Sequence, residues 1–178
     1  MVTPTSIPKG SVSVADMPIA RSPLSGGSSS VGWNRRESLS AGGISITDIS
    51  GIPMWRDWSQ SASMGRVTVE QDHTEFATSP GELTVISNRG MPETAVDLTH
   101  LRASIRVTGE DARELLMRLT PLDITPEMFP VGSAARTLVA GITTEVVHDA
   151  PGTYLLVTSR SFAGSLWHAI EFSAEEWR

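Results

Sequence analysis

Cysteine is absent from the 178-residue chain, which excludes a disulfide framework, a thiolate-held zinc or iron–sulfur cluster, and a thiol nucleophile. Lysine is almost as scarce: Lys9 is the only one among 14 basic residues, so the folded part offers no lysine for a Schiff base. Long apolar runs are missing too. No window approaches the ~18 consecutive apolar residues of a membrane span, and the N-terminus is polar and broken by Pro4, Pro8 and Pro18, unlike the core of a signal peptide. The expectation is a cytoplasmic protein without membrane contact. Positive charge is also short: the formal net charge is -6 and the basic groups do not cluster. An acidic surface repels phosphate backbones, so nucleic acid is not an expected partner.

What is present reads as one domain with an extension. Residues 1–43 contain 20 Ser, Gly or Pro, too little apolar surface to offset chain entropy, and are expected to form a flexible arm open to proteolysis. The arm carries a net charge of +2 and the remainder -8. From Ile44 the pattern turns to short β-like runs at 44–49, 66–71 and 83–87, the last introduced by Ser79-Pro80-Gly81. Trp55 and Trp58, three apart, suit one face of a short helix or turn packed on a sheet, or an anchor for another subunit.

The second half is more strongly patterned. Leu101, Ala103, Ile105 and Val107 alternate with Arg102, Ser104 and Arg106, a strand with one buried face and a basic polar one. Thr108 and Asp111 have capping-box spacing, and Ala112, Leu115, Leu116 and Leu119 recur at helical intervals, which predicts a helix ending near Thr120-Pro121. A loop over 121–132 holds three prolines. Strands are expected at 136–142, 143–148 and 153–158, the last two joined as a hairpin through 149–152. A final helix begins at Ser161 with Phe162, Leu166, Ala169 and Ile170 on one face. The order β, α, β, β, α gives an α+β fold: a small antiparallel or mixed sheet with helices on one face.

No catalytic constellation emerges from spacing. Gly26-Gly27 and Gly42-Gly43 lack the strand-to-helix setting of a phosphate-binding loop. The four histidines are scattered, and Asp72-His73 and His148-Asp149, adjacent in strands, point to opposite faces. Ser161 and Ser165 lack the flanking glycines of a nucleophile elbow. The sequence describes a subunit better than a free enzyme.

One set of segments is more specific. Val96-Asp97-Leu98-Thr99, Val107-Thr108-Gly109, Ala112 to Leu116, Pro121-Leu122-Asp123-Ile124, Phe129-Pro130-Val131-Gly132 and Arg160-Ser161-Phe162-Ala163 occur in this order before Leu166-Trp167. Together they resemble the gamma subunit family of heterotetrameric sarcosine oxidase, over about residues 79–170; Leu83 stands where that family usually has Trp. The resemblance implies residues 44–178 as a shortened domain similar to the aminomethyltransferase folate-binding fold. It implies assembly with alpha, beta and delta subunits into a complex that demethylates sarcosine to glycine. FAD, FMN, NAD and tetrahydrofolate would belong to the partners, with no cofactor, metal or catalytic residue in this chain. Asp97, Gly109, Pro121, Asp123, Phe129, Gly132, Arg160, Ser161 and Phe162 are its motif or subunit-contact candidates. Asp123 sits where the broader folate family places a carboxylate, and loop capping after Pro121 is the preferred reading. The alternatives are the small subunit of a related dehydrogenase, such as N-methylglutamate dehydrogenase, and a free-standing folate-binding protein with its own concave polar pocket.

Overall fold

A computed structural model describes residues 38–58 and 62–177; the rest of the predicted arm, residues 1–37, lies outside the described residues. Eleven strands and two α-helices follow one another in the described chain. The strands are β1 (Ser38–Ala41), β2 (Ile44–Asp48), β3 (Met54–Trp58), β4 (Val67–Glu70), β5 (His73–Ser79) and β6 (Glu82–Ser87), then β7 (Val96–Asp97), β8 (Arg102–Gly109), β9 (Ser133–Val139), β10 (Ile142–Ala150) and β11 (Thr153–Ser159). Helix α1 (Ala112–Met117) separates β8 from β9, and α2 (Ala163–Ala174) follows β11. No helix among the described residues is long and apolar enough to cross a membrane.

Two sheets replace the single one expected. One has the order β1-β2-β8-β11-β10-β9 and the other β4-β5-β6-β3-β7, and every pairing between these strands is antiparallel. The alternation of β8 explains the layering. Ala103, Ile105 and Val107 are fully buried, and Ile105 and Val107 join Val146, Leu156, Leu115, Leu116, Leu166 and Ile170 in a core beneath the two helices. Val147, Leu155 and Val157, at the alternate positions of β10 and β11, pack with Met54, Phe76 and Ile86 of the second sheet. Helices therefore cover one face of the six-stranded sheet and the second sheet covers the other. A strand buried on both faces loses the clean inside/outside contrast that alternation alone suggests. The sheets meet along one edge, where the Val67 amide donates to the Gly132 carbonyl at 2.9 Å and the Ala134 amide to the Gly65 carbonyl at 3.0 Å.

Several local expectations are corrected. Residues 54–58 form a strand, not a helix or turn; three residues apart on a strand means opposite faces, and Trp55 is buried while Trp58 is exposed. Ser38–Ala41, assigned to the arm by composition, pairs with β2. The capping box does not form, because Thr108 and Gly109 are still in the strand and Asp111 occupies the N-cap without a side-chain hydrogen bond. Helix α1 stops at Met117, and hydrogen-bonded turns carry the chain through Leu119 and Thr120. The strand predicted through residue 142 is cut at Ala140-Gly141, where φ values of 50° and 78° make the two-residue turn that joins β9 to β10. Phe162 is exposed, since a 3₁₀ turn over Arg160–Phe162 precedes α2 and takes it off the buried face.

Candidate functional site

Ionisable groups converge in three places, and none of the three was assembled by sequence spacing. The first lies between the sheets. Glu145, on β10, is buried, and its Oε1 accepts from Arg136 Nη2 at 2.6 Å and from the Thr78 hydroxyl at 3.1 Å. Arg56 and Arg102 approach the same oxygen at 3.5 Å. Arg56 also pairs with Glu82 at 3.1 Å, so three guanidiniums face two carboxylates, and the Glu145 Oε2 is buried without a partner among the described residues. Burial pulls Arg102 below the ordinary guanidinium value, with Glu145 opposing; the group stays charged at any physiological pH. Nearby on β10, burial raises the Asp149 carboxyl above the usual carboxylate value, and Arg106, 3.4 Å away, pulls it back. The arrangement ties β3, β5 and β6 of one sheet to β8, β9 and β10 of the other. A buried carboxylate this enclosed binds sheets together; it is not presented to solvent as an acid or base.

The second is a cleft of about 670 Å³ between the β8–α1 turn and the β10–β11 hairpin, with Glu110, Arg113, Val131, His148, Pro151 and Tyr154 in its walls. His148 Nδ1 lies 2.9 Å from the Phe129 carbonyl oxygen. A carbonyl only accepts, so Nδ1 carries a proton. Nε2 is buried without a partner among the described residues. The imidazole stacks on Tyr154, with ring centroids 4.4 Å apart. Burial raises the Tyr154 phenol above its ordinary value, and the charge of Arg113 opposes this.

The third is a shallow cleft of about 530 Å³ formed by His100, Leu101, Ser159, Arg160 and Ser161. The Arg160 amide donates to the Leu101 carbonyl at 2.9 Å, and Leu101 and Phe162 leave large apolar side chains exposed beside it.

The residues singled out in the sequence do not share one site. Arg160 and Ser161 line the shallow cleft, with Phe162 next to it. Gly109 lines the deeper one, Phe129 supplies the carbonyl that orients His148, and the Gly132 amide donates to the His148 carbonyl at 2.8 Å. Asp97 accepts the Thr99 amide at 2.8 Å on the exposed edge strand β7. Pro121 is exposed in the loop. Asp123 Oδ1 accepts from the Thr125 hydroxyl at 2.7 Å and the Thr125 amide at 3.0 Å, and the first of these does most to hold its carboxyl below the ordinary value. Both bonds are internal to the loop. His148 and Asp149 do point to opposite faces, towards Phe129 and Arg106 respectively. No group of three His, Asp or Glu side chains among the described residues is placed to hold a metal ion.

The chain is a three-layer α+β domain with helices on one side of an antiparallel pair of sheets and the Glu145 ion-pair cluster between the sheets. A family model described as "Sarcosine oxidase, gamma subunit family" matches residues 88–176. The chain belongs to that family. Its fold is similar to that of a chain in a solved heterotetrameric sarcosine oxidase from Corynebacterium sp. U-96 in complex with pyrrole 2-carboxylate, with a TM-score of 0.70 and 15% sequence identity. The similarity covers 79% of this chain and 88% of that one. No curated protein sequence matches the chain.

Proposed function

We propose that the chain is a gamma subunit without an active site of its own, assembled with alpha, beta and delta subunits in a heterotetrameric sarcosine oxidase. The observation that carries this is the family match over residues 88–176, and the likeness of fold to a chain of such a heterotetramer agrees with it. FAD, FMN, NAD and tetrahydrofolate are held by the partners, which demethylate sarcosine oxidatively and pass on the one-carbon unit. The domain is a shortened relative of the aminomethyltransferase folate-binding fold. Leu101 and Phe162, exposed beside Arg160 and Ser161, supply an apolar contact ringed by polar groups, the composition of a subunit interface.

Co-expression with the candidate partner chains and purification through a tag on this one should yield a stoichiometric four-chain complex carrying the flavin absorbance. The chain purified alone should be colourless and should not oxidise sarcosine. Recovery of the tagged chain free of partners, or of flavin bound to it alone, would remove the reading.

Asp123→Ala gives a second test in the assembled complex. Its carboxylate is satisfied by Thr125 within the loop, so the variant is expected to show a small loss of thermal stability and unchanged turnover per complex. A fall of ~100-fold or more in folate-dependent one-carbon transfer, the size expected on removing a general acid or base, with the complex intact, would place Asp123 in a folate site.

A further inference from the structure

We propose that the edge strand β1 and the 3₁₀ turn Glu175–Trp177 that follows α2 form one latch: each holds the other against the domain, and the two open together while the rest of the fold stays closed. Such a latch is independent of the subunit role and decides whether the edge of β2 is covered.

Strand β1 has few contacts of its own. It is the outermost strand of the six-stranded sheet and pairs with β2 alone, over four residues. Ser38 and Ser40 are exposed, and Ala41 is its one buried residue among the described side chains. A ladder this short is marginal without further packing. That packing comes from the far end of the described chain. Trp177 is half-buried against the core that contains Ala41, Ile44, Leu115 and Ala174. Its backbone passes the β1–β2 turn so closely that a Cβ built on Gly42 would stand 2.6 Å from the Trp177 carbonyl oxygen and 3.1 Å from its Cβ. Gly42 also has a φ of +55°, which a residue without a side chain adopts at little cost.

The turn depends on its neighbours in the same way. Arg118, just past α1, lies over the Trp177 ring at 4.5 Å and pairs with Glu176. Both side chains of that pair are half or more exposed, and water weakens such a pair. Trp177 therefore relies for its place on the core face and on the Gly42 backbone. Two short segments that bury little and share one contact open as a unit, at a lower free energy than global unfolding. Strands β8, β10 and β11 are paired on both sides and stay closed. Opening takes β1 off β2 and leaves the backbone of Ile44–Asp48 unpaired on that side, an edge of the kind that accepts an added strand.

Hydrogen exchange of the full-length chain, read residue by residue by NMR, tests the latch. In the parent, amides of β1 and of Glu175–Trp177 should share one level of protection, below that of β8, β10 and β11. Trp177→Ala should speed exchange in β1 by about tenfold or more, since truncating even a partly buried aromatic costs at least that factor, with β10 and β11 unchanged. Gly42→Ala is the reciprocal variant, because its methyl group presses on the Trp177 backbone; it should speed exchange at Glu175–Trp177. Gly81→Ala, also at positive φ but with nothing within 4 Å of the added Cβ, should not. Arg118→Gln removes only the stack and the ion pair, and should speed both segments by one smaller factor, which keeps the test decisive where Trp177→Ala fails to fold. Unaltered β1 exchange in a folded Trp177→Ala or Arg118→Gln variant, unaltered exchange at Glu175–Trp177 in Gly42→Ala, or acceleration in β10 and β11 as large as in β1 would each overturn the proposal.

Discussion

Gly109→Ala is expected to abolish cooperative folding. Gly109 closes β8 at a φ of +134°, and a Cβ built there would stand 1.8 Å from the Gly43 carbonyl oxygen and 2.8 Å from its carbon. Both contacts are backbone, so no side-chain rotation relieves them. The strain of an alanine at such a φ is roughly 1 to 3 kcal/mol, but the clash matters more, because relief requires β2 to move away from β8. Ile44 and Gly109 face each other in that ladder, and the Gly109 amide also donates to the Gly152 carbonyl at 2.9 Å. Movement at this point loosens β2, β8 and β11 at once. Gly81→Ala is the control: φ is +72° and nothing lies within 4 Å of the added Cβ, so only the conformational strain applies. Thermal unfolding by circular dichroism should give a sharp transition for Gly81→Ala and none for Gly109→Ala. A Gly109→Ala variant that melts within a few degrees of the parent would show that the β2–β8 junction yields easily.

The parts of the fold legible in the sequence are those governed by local periodicity. Strand β8, the buried side of α1 and the β10–β11 hairpin are visible because each has an apolar repeat or a turn signal of its own. What escaped was non-local. Trp55 and Trp58 resemble a helical pair until β3 is seen between β6 and β7, and nothing in residues 54–58 specifies those neighbours. The Ala140-Gly141 turn was missed because alanine seldom adopts positive φ. The basic face of β8 was recognised, but that it meets a second sheet depends on contacts between distant segments. Glu145, in the segment Ile142-Thr143-Thr144-Glu145-Val146-Val147, carries no sequence signal of burial, since polar Thr143 and Thr144 precede it. His148 was dismissed for want of a neighbouring ligand, and the feature that distinguishes it, a carbonyl 19 residues away fixing its tautomer, is invisible to spacing.

Glu145→Ala is expected to lower folding stability by about 3 to 5 kcal/mol, the range for removing one partner of a buried ion pair. The loss exceeds that of an average hydrogen bond because the remaining groups suffer. Arg56 and Arg102 keep less than a fifth of their side-chain surface exposed, and without Glu145 Arg56 retains Glu82 as its one ion-pair partner among the described residues while Arg102 retains none. Glu145→Gln should lie between parent and Ala variant: it keeps the shape and an oxygen for the guanidiniums to share at the Oε1 position, but removes the negative charge that offsets them. Glu70→Ala breaks an equally short pair, Glu70 with Arg89 at 2.6 Å, yet both of those side chains are about half exposed, and water replaces what is lost. Its urea midpoint should therefore stay close to the parent's. Urea unfolding followed by tryptophan fluorescence separates the three, and hydrogen exchange supplies an independent readout. Amides of β5 and β6 should lose protection together with those of β9 and β10 in Glu145→Ala, since the cluster spans both sheets. A Glu145→Ala midpoint no lower than that of Glu70→Ala would mean that the guanidiniums swing into water, and that the apolar contacts of Met54, Phe76 and Ile86 with Val147, Leu155 and Val157 hold the sheets together without the charges.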